Sequence, residues 1–189
     1  MSFNIFLAVI PVVLGWVFFN FRQKKLRYAT AIIWLLFLPN AIYLFTDIIN
    51  LIWQWGRVGD SERLVLLFQY FVLEIFGFVT FILALYPFEK FISSCKWMRI
   101  RKHTILLIII LNFIIAFGVT LGRVERVNSW DVLAAPINVV NASLNILFSV
   151  ELIVLTILFG LFGNFLYFAF RKPLIRYFST YSNLIGASR

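Results

Sequence analysis

The stretch TILLIIILNFIIAFGVTLG covers residues 104–122 and contains no charged side chain. As a helix it would be about 29 Å long, which matches the thickness of a bilayer's hydrocarbon core. Positive side chains flank it, with Arg101 and Lys102 before the stretch and Arg123 directly after it. An uncharged apolar stretch of this length between basic flanks is typical of a transmembrane helix.

The composition extends this interpretation to the whole chain. Of its 189 residues, 62% are hydrophobic and only 13% are charged, and the mean hydropathy is +0.95. These values exclude an ordinary soluble globular domain. They predict an all-α integral membrane protein, a single multi-pass domain over residues 1–189 with about five transmembrane helices. The predicted spans are residues 3–21, 28–52, 64–86, 104–122 and 147–170. We expect Pro87 to close the third span, and Arg171, Lys172 and Pro173 to stop the fifth.

Residues 132–146 are harder to assign. They are moderately apolar but contain Pro136, three asparagines and a serine. The segment is short and polar for a span, so we expect an interfacial or re-entrant helix on the outer face. The alternative is a sixth crossing.

The basic residues are distributed unequally between the loops. With five spans, Arg57, Arg63, Arg123 and Arg126 fall on one side of the membrane, and all other Lys and Arg residues fall on the other. Short cytoplasmic loops carry an excess of positive charge, which predicts an outer N-terminus and a cytoplasmic C-terminus. The net charge of +9 therefore indicates contact with the lipid bilayer, and we expect no nucleic-acid partner.

One face of the second predicted span is polar. Asn40, Tyr43, Asp47, Asn50 and Gln54 follow one another at spacings of three or four residues. On a helix they form one continuous stripe, which must face protein or water. A charge inside hydrocarbon is costly, so Asp47 is a candidate functional residue.

Glu74 lies near the middle of the third predicted span. At that depth a carboxyl group must be neutral or paired. We expect Asn40 or Asn112 to be its partner if those helices adjoin. A structural hydrogen bond between helices is one interpretation, and a proton or ion relay is the other.

The predicted outer loop after the fourth span concentrates polar side chains. Arginine can bind a carboxylate or phosphate with two hydrogen bonds, and acidic groups can orient it or act as acid or base. The alternative is a capped turn with internal ion pairs. The candidate residues in this loop are Arg123, Arg126, Asn128, Ser129, Trp130 and Asp131.

The polar helix face and the polar loop are predicted to lie on the same side of the membrane. We therefore expect one outer-face site, in which Asp47 pairs with Arg123 or Arg126 and Asn40 and Tyr43 lie close by. The sequence has no His or Cys cluster at the spacing of metal ligands, so we expect no metal and no other cofactor.

Two motifs resemble those of a known family. LPNAIY at residues 38–43 is followed by Thr46 and Asp47, and GR at residues 122–123 is followed by RVNSWDVL at residues 126–133. The chain is similar to a bacterial family of predicted membrane proteins, the domain of unknown function 1361. The resemblance implies a multi-pass protein of the bacterial cell membrane.

Three functions remain open. The first is an accessory or binding protein that recognises a lipid headgroup, a lipid-linked precursor or a larger membrane partner at the outer face. The second is a membrane enzyme for an envelope substrate, with Asp47, Glu125 and Asp131 as acid–base candidates. The third is an oligomeric small-solute transporter, formed by several copies of the chain. The short loops, which leave little mass outside the membrane, favour the first.

Overall fold

A computed structural model describes residues 2–18, 24–94 and 101–187 of the chain. These residues form helices joined by short turns and contain no strand. The all-α prediction is therefore confirmed for this part of the protein. The helices are α1 (Ser2–Phe18), α2 (Lys24–Phe37), α3 (Pro39–Thr46), α4 (Ile48–Trp55), α5 (Asp60–Ser94), α6 (Arg101–Arg123), α7 (Asp131–Ala134), α8 (Pro136–Phe148) and α9 (Val150–Ala187).

Four helical segments of the described chain are long and apolar enough to cross a membrane. They are Lys25–Trp55, which combines α2 to α4, and Asp60–Ser94, Lys102–Arg123 and Val150–Phe178. The protein is therefore a helical membrane protein by length and composition. The first predicted span, residues 3–21, corresponds to the shorter α1, and its residues 19–21 lie outside the described part.

Helices α2, α3 and α4 follow one another with only small breaks, at Leu38 and Asp47. Both residues keep helical backbone angles. The amide of Asp47 bonds to the carbonyl of Leu44 at 3.0 Å, a three-residue spacing that tightens the turn. Pro39 has no N–H to donate, which explains the first break. The polar stripe therefore continues along one face of these three successive helices.

Helix α3 is the centre of the bundle. It packs against α1, α5 and α6, and α6 in turn packs against α9. Leu38, Ala41 and Ile42 of this segment have no exposed surface. They belong to a core that includes Phe81 of α5 and Tyr167 of α9. Side chains at the polar edge of α3 are thus held by neighbours on several sides.

Two prolines do not end helices where the sequence suggested. We expected Pro87 to close the third span, but α5 continues through it to Ser94. Pro87 cannot bond the carbonyl of residue 83, and the indole Nε1–H of Trp34 donates to the adjacent carbonyl of Ala84 at 3.1 Å. This bond connects α2 to α5 beside the proline, whereas the carbonyl that lacks its usual helical donor is that of Leu83. Helix α9 likewise continues through Pro173.

The segment predicted as one helix over residues 132–146 is divided in two. Ala135 has φ and ψ angles of −145° and 60°, which lie outside the helical region and separate α7 from α8. Pro136 then occupies the first turn of α8, where its missing N–H costs nothing. Residues 101–123 form the uninterrupted α6, in agreement with the stretch that first indicated a membrane helix.

Candidate functional site

Asp47 is the most buried charged residue of the predicted site, with 2% of the whole residue's surface exposed. Its carboxylate accepts hydrogen bonds from Asn4 Nδ2 at 3.0 Å and from Asn50 Nδ2 at 3.2 Å. Arg123 Nη1 lies 3.3 Å from Oδ1 and completes an ion pair. These ligands come from α1, α4 and α6, so one carboxylate connects three helices to the end of α3.

Arg123 is the arginine that contacts Asp47. Its Nη2 also donates to the backbone carbonyl of Thr46 at 2.9 Å, and its guanidinium lies 5.6 Å from the centre of the Tyr43 ring. Arg126, the alternative partner, is exposed on the loop and has a left-handed φ of 56°. We call Asn4, Thr46, Asp47, Asn50 and Arg123 the Asp47 cluster.

A hydrogen bond joins the polar loop to α3. Asn40 Nδ2 donates to Ser129 Oγ at 3.1 Å and to the carbonyl of Phe37 at 3.0 Å. The loop itself is closed by Asp131, whose carboxylate accepts the backbone N–H of Asn128 at 2.6 Å. Two of the predicted loop residues therefore build a turn, and Ser129 anchors that turn to the bundle.

Close packing of α6 on α3 positions these groups. A Cβ atom on Gly118 would lie 2.4 Å from Cγ of Pro39, and one on Gly122 would lie 3.4 Å from the Tyr43 ring. Because Gly118 and Gly122 are one helical turn apart, as are Pro39 and Tyr43, the two glycines form a flat surface for α3. This approach brings Arg123 within reach of Asp47.

A cavity of about 310 Å³ lies between α1, α2, α3, α6 and the polar loop. Its walls are formed mainly by aliphatic and aromatic side chains, and several side chains with amide or hydroxyl groups also line it. We call it the Asn40 cavity. Its lining residues are Asn4, Leu7, Leu35, Leu36, Pro39, Asn40, Tyr43, Ile114, Phe117, Gly118, Leu121, Gly122, Val127, Asn128, Ser129, Trp130, Val132 and Val139.

The structure does not bring Glu74 to either expected partner. Asn40 bonds to Ser129, and Asn112 Nδ2 donates to Asn164 Oδ1 of α9 at 2.9 Å. The prediction for Glu74 was wrong because α6 turns Asn112 towards α9. Glu74 Oε1 is buried and has no hydrogen-bond partner among the described residues.

Glu74 instead lines a second cavity of about 380 Å³, which we call the Glu74 cavity. It lies between α3, α4, α5 and α9 and is bounded mostly by apolar side chains. Its lining residues are Ile42, Phe45, Thr46, Ile48, Glu74, Leu158, Phe159 and Phe162.

Sequence reasoning missed several polar contacts. Asn4 near the N-terminus gave no signal of its own, although a lone Asn in an apolar stretch could have suggested a buried partner. A further cluster, the Glu89 cluster, joins α5 to α9 through Glu89, Tyr167 and Arg171. Tyr167 donates to Glu89 Oε2 at 2.6 Å, and Arg171 pairs with Glu89 Oε1. The sequence indicates Arg171 only as one of the basic residues that orient the chain in the membrane.

No group of three or more His, Cys, Asp or Glu side chains that could hold a metal ion occurs in the described part of the chain. The polar side chains that line the Asn40 cavity are amides and hydroxyls, and the Asp47–Arg123 ion pair beside the cavity neutralises its own charge. Such groups can bind and orient a polar ligand through hydrogen bonds.

Comparison with known proteins identifies the family. No curated protein and no solved structure matches the chain. A family model matches residues 3–166, which include both motifs and most of the bundle. The match confirms the resemblance seen in the sequence, and the chain belongs to the family described as protein of unknown function (DUF1361).

Proposed function

We propose that this protein binds an amphiphile, a lipid or a lipid-linked compound, in the Asn40 cavity as a binding or accessory protein of the membrane. The observation that carries the proposal is the composition of that cavity. Leu36, Ile114 and Phe117 contribute apolar walls, while Asn40 and Ser129 contribute polar groups. A cavity with apolar walls and a few polar groups suits a ligand that has an apolar part and a polar headgroup.

The charge distribution favours an uncharged headgroup. Both Nη atoms of Arg123 already have acceptors, Asp47 and the carbonyl of Thr46. The guanidinium is thus committed to the protein, which disfavours an enzyme that uses it as a phosphate clamp. The amide and hydroxyl groups at the cavity match hydroxyl or amide groups of a ligand.

We further propose that the Asp47 end faces the outside of a bacterial cell membrane. In this arrangement α1 is a fifth crossing, which its packing against α2, α3 and α5 supports. The N-terminus is then outside, the C-terminus is cytoplasmic, and α8 is the interfacial helix on the outer face. The basic loops at the opposite end support this orientation. A larger membrane partner or a second copy would contact the protein through its lipid-facing surface.

Native mass spectrometry of the full protein, extracted gently from its own membrane, tests the proposed binding. We expect a bound amphiphile on the wild type and its loss in Ile114→Trp, because a larger side chain would fill the cavity. Ile110→Trp is the matched control, since Ile110 is exposed one turn away on α6 and does not line the cavity. Retention of the ligand in Ile114→Trp, or its absence from the wild type, would contradict the proposal.

A further inference from the structure

The Glu74 cavity opens towards the lipid side of the bundle. Three of its lining residues, Ile48, Leu158 and Phe162, are exposed on the protein surface, with exposed fractions of 46%, 57% and 39%. They belong to α4 and α9, within segments that can cross a membrane. A molecule dissolved in the bilayer could therefore enter the cavity sideways between these helices.

The cavity contains one acidic group and no basic one. Apart from Glu74 and Thr46, its lining side chains are aliphatic or aromatic. The nearby carboxylate of Asp47 has its own cation in Arg123, whereas Glu74 Oε1 has no partner among the described residues. Acidic groups at membrane depth are normally paired. Glu74 forms no ion pair within the part of the chain that the structure describes, so no cation there stabilises its ionised form.

We propose that the Glu74 cavity is a second binding site, which takes a lipid-soluble amine. The ammonium group of such a ligand would pair with the Glu74 carboxylate, and its alkyl chain would lie against Phe45, Phe159 and Phe162. This charge-assisted contact in a low-dielectric site is stronger than the contact of a neutral hydroxyl group. The site is separate from the Asn40 cavity and does not depend on the function proposed for it.

Photolabelling of the full protein in phosphatidylcholine nanodiscs tests this site. The probe is a dodecylamine that carries a diazirine in its chain, and the comparison probe is the matching dodecanol. We expect the amine to label peptides of α3 to α5 and α9 about tenfold more than the alcohol, a difference of about 1.4 kcal/mol in binding. Glu74→Gln should remove this preference for the amine.

Two further variants act as controls. Glu62→Gln changes an exposed acid at the start of α5 and should leave the labelling unchanged. Leu158→Trp keeps Glu74 but narrows the cavity from an exposed position, and it should reduce labelling even if Glu74→Gln fails to fold. Equal labelling by amine and alcohol in the wild type, or unchanged labelling in folded Glu74→Gln or in Leu158→Trp, would overturn the proposal.

Discussion

The Asp47 cluster and the Glu89 cluster are two ion pairs between helices, and they differ in what surrounds them. In the first, the side chains of Asp47 and Arg123 are 3% and 22% exposed. In the second, those of Glu89 and Arg171 are 19% and 13% exposed. Both pairs connect helices that are distant in sequence, and both have additional hydrogen bonds.

The two clusters differ in whether a cavity lies next to the ion pair. Tyr43, which lies beneath the Arg123 guanidinium, also lines the Asn40 cavity. In the Glu89 cluster, Arg171 lies over the rings of Tyr167 and Phe168, and no member of this cluster lines either cavity. A buried ion pair therefore marks a junction between helices, and a ligand site requires a cavity as well.

Removal of the cation at Asp47 should have the largest effect. In Arg123→Met the carboxylate of Asp47, almost fully buried, loses its counter-charge. We expect the free energy of unfolding to fall by about 3–5 kcal/mol. Unfolding by sodium dodecyl sulfate in mixed micelles, followed by circular dichroism, measures this change. The bound amphiphile should be lost as well.

Arg171→Met is the matched test at the other cluster. Glu89 would keep the hydrogen bond from Tyr167 and some contact with solvent, so we expect a smaller loss, about 1–3 kcal/mol. The amphiphile should stay bound, since the Glu89 cluster lines neither cavity. Equal loss of ligand in both variants would refute the distinction between the two clusters.

Gly118→Ala should separate α6 from α3 without any change of charge. Its Cβ would lie 2.4 Å from Cγ of Pro39, so the helices must move apart and the contact between Arg123 and Asp47 must lengthen. Overpacking of this kind costs about 1–3 kcal/mol. Gly56→Ala is the control, because its added Cβ would meet no atom of the described residues within 4 Å beyond the adjoining backbone and chain neighbours. Similar unfolding free energies for the two variants would show that the close approach is unimportant.

The sequence predicted the features that depend on local composition. Apolar length predicted the helices, and the cost of a charge in hydrocarbon selected Asp47 before any neighbour was known. The sequence could not choose between Arg123 and Arg126, because that choice depends on how α6 ends and on the left-handed turn at Arg126.

Contacts that depend on the arrangement of helices were not predictable. Asn112 was expected near Glu74, but it pairs with Asn164 because α6 packs chiefly against α9. Pro87 was expected to end a helix, but α5 continues through it and is bonded there to Trp34 of α2. The residues around Asn112 and Pro87 do not indicate which helices pack beside them, so both errors have the same origin.

The smallest predicted effect concerns the bond between the polar loop and α3. Ser129→Ala removes the acceptor of Asn40 Nδ2 and leaves Asn40 its bond to Phe37, so we expect a loss of about 1 kcal/mol in unfolding free energy. Because Asn40 and Ser129 both line the Asn40 cavity, the fraction of ligand-bound protein in native mass spectra should fall more clearly than stability does. Ser143→Ala is the control, since Ser143 donates to the carbonyl of Val139 within α8 and does not line the cavity. If both variants retained the same fraction of ligand, the loop would be a structural turn and the headgroup would be bound elsewhere.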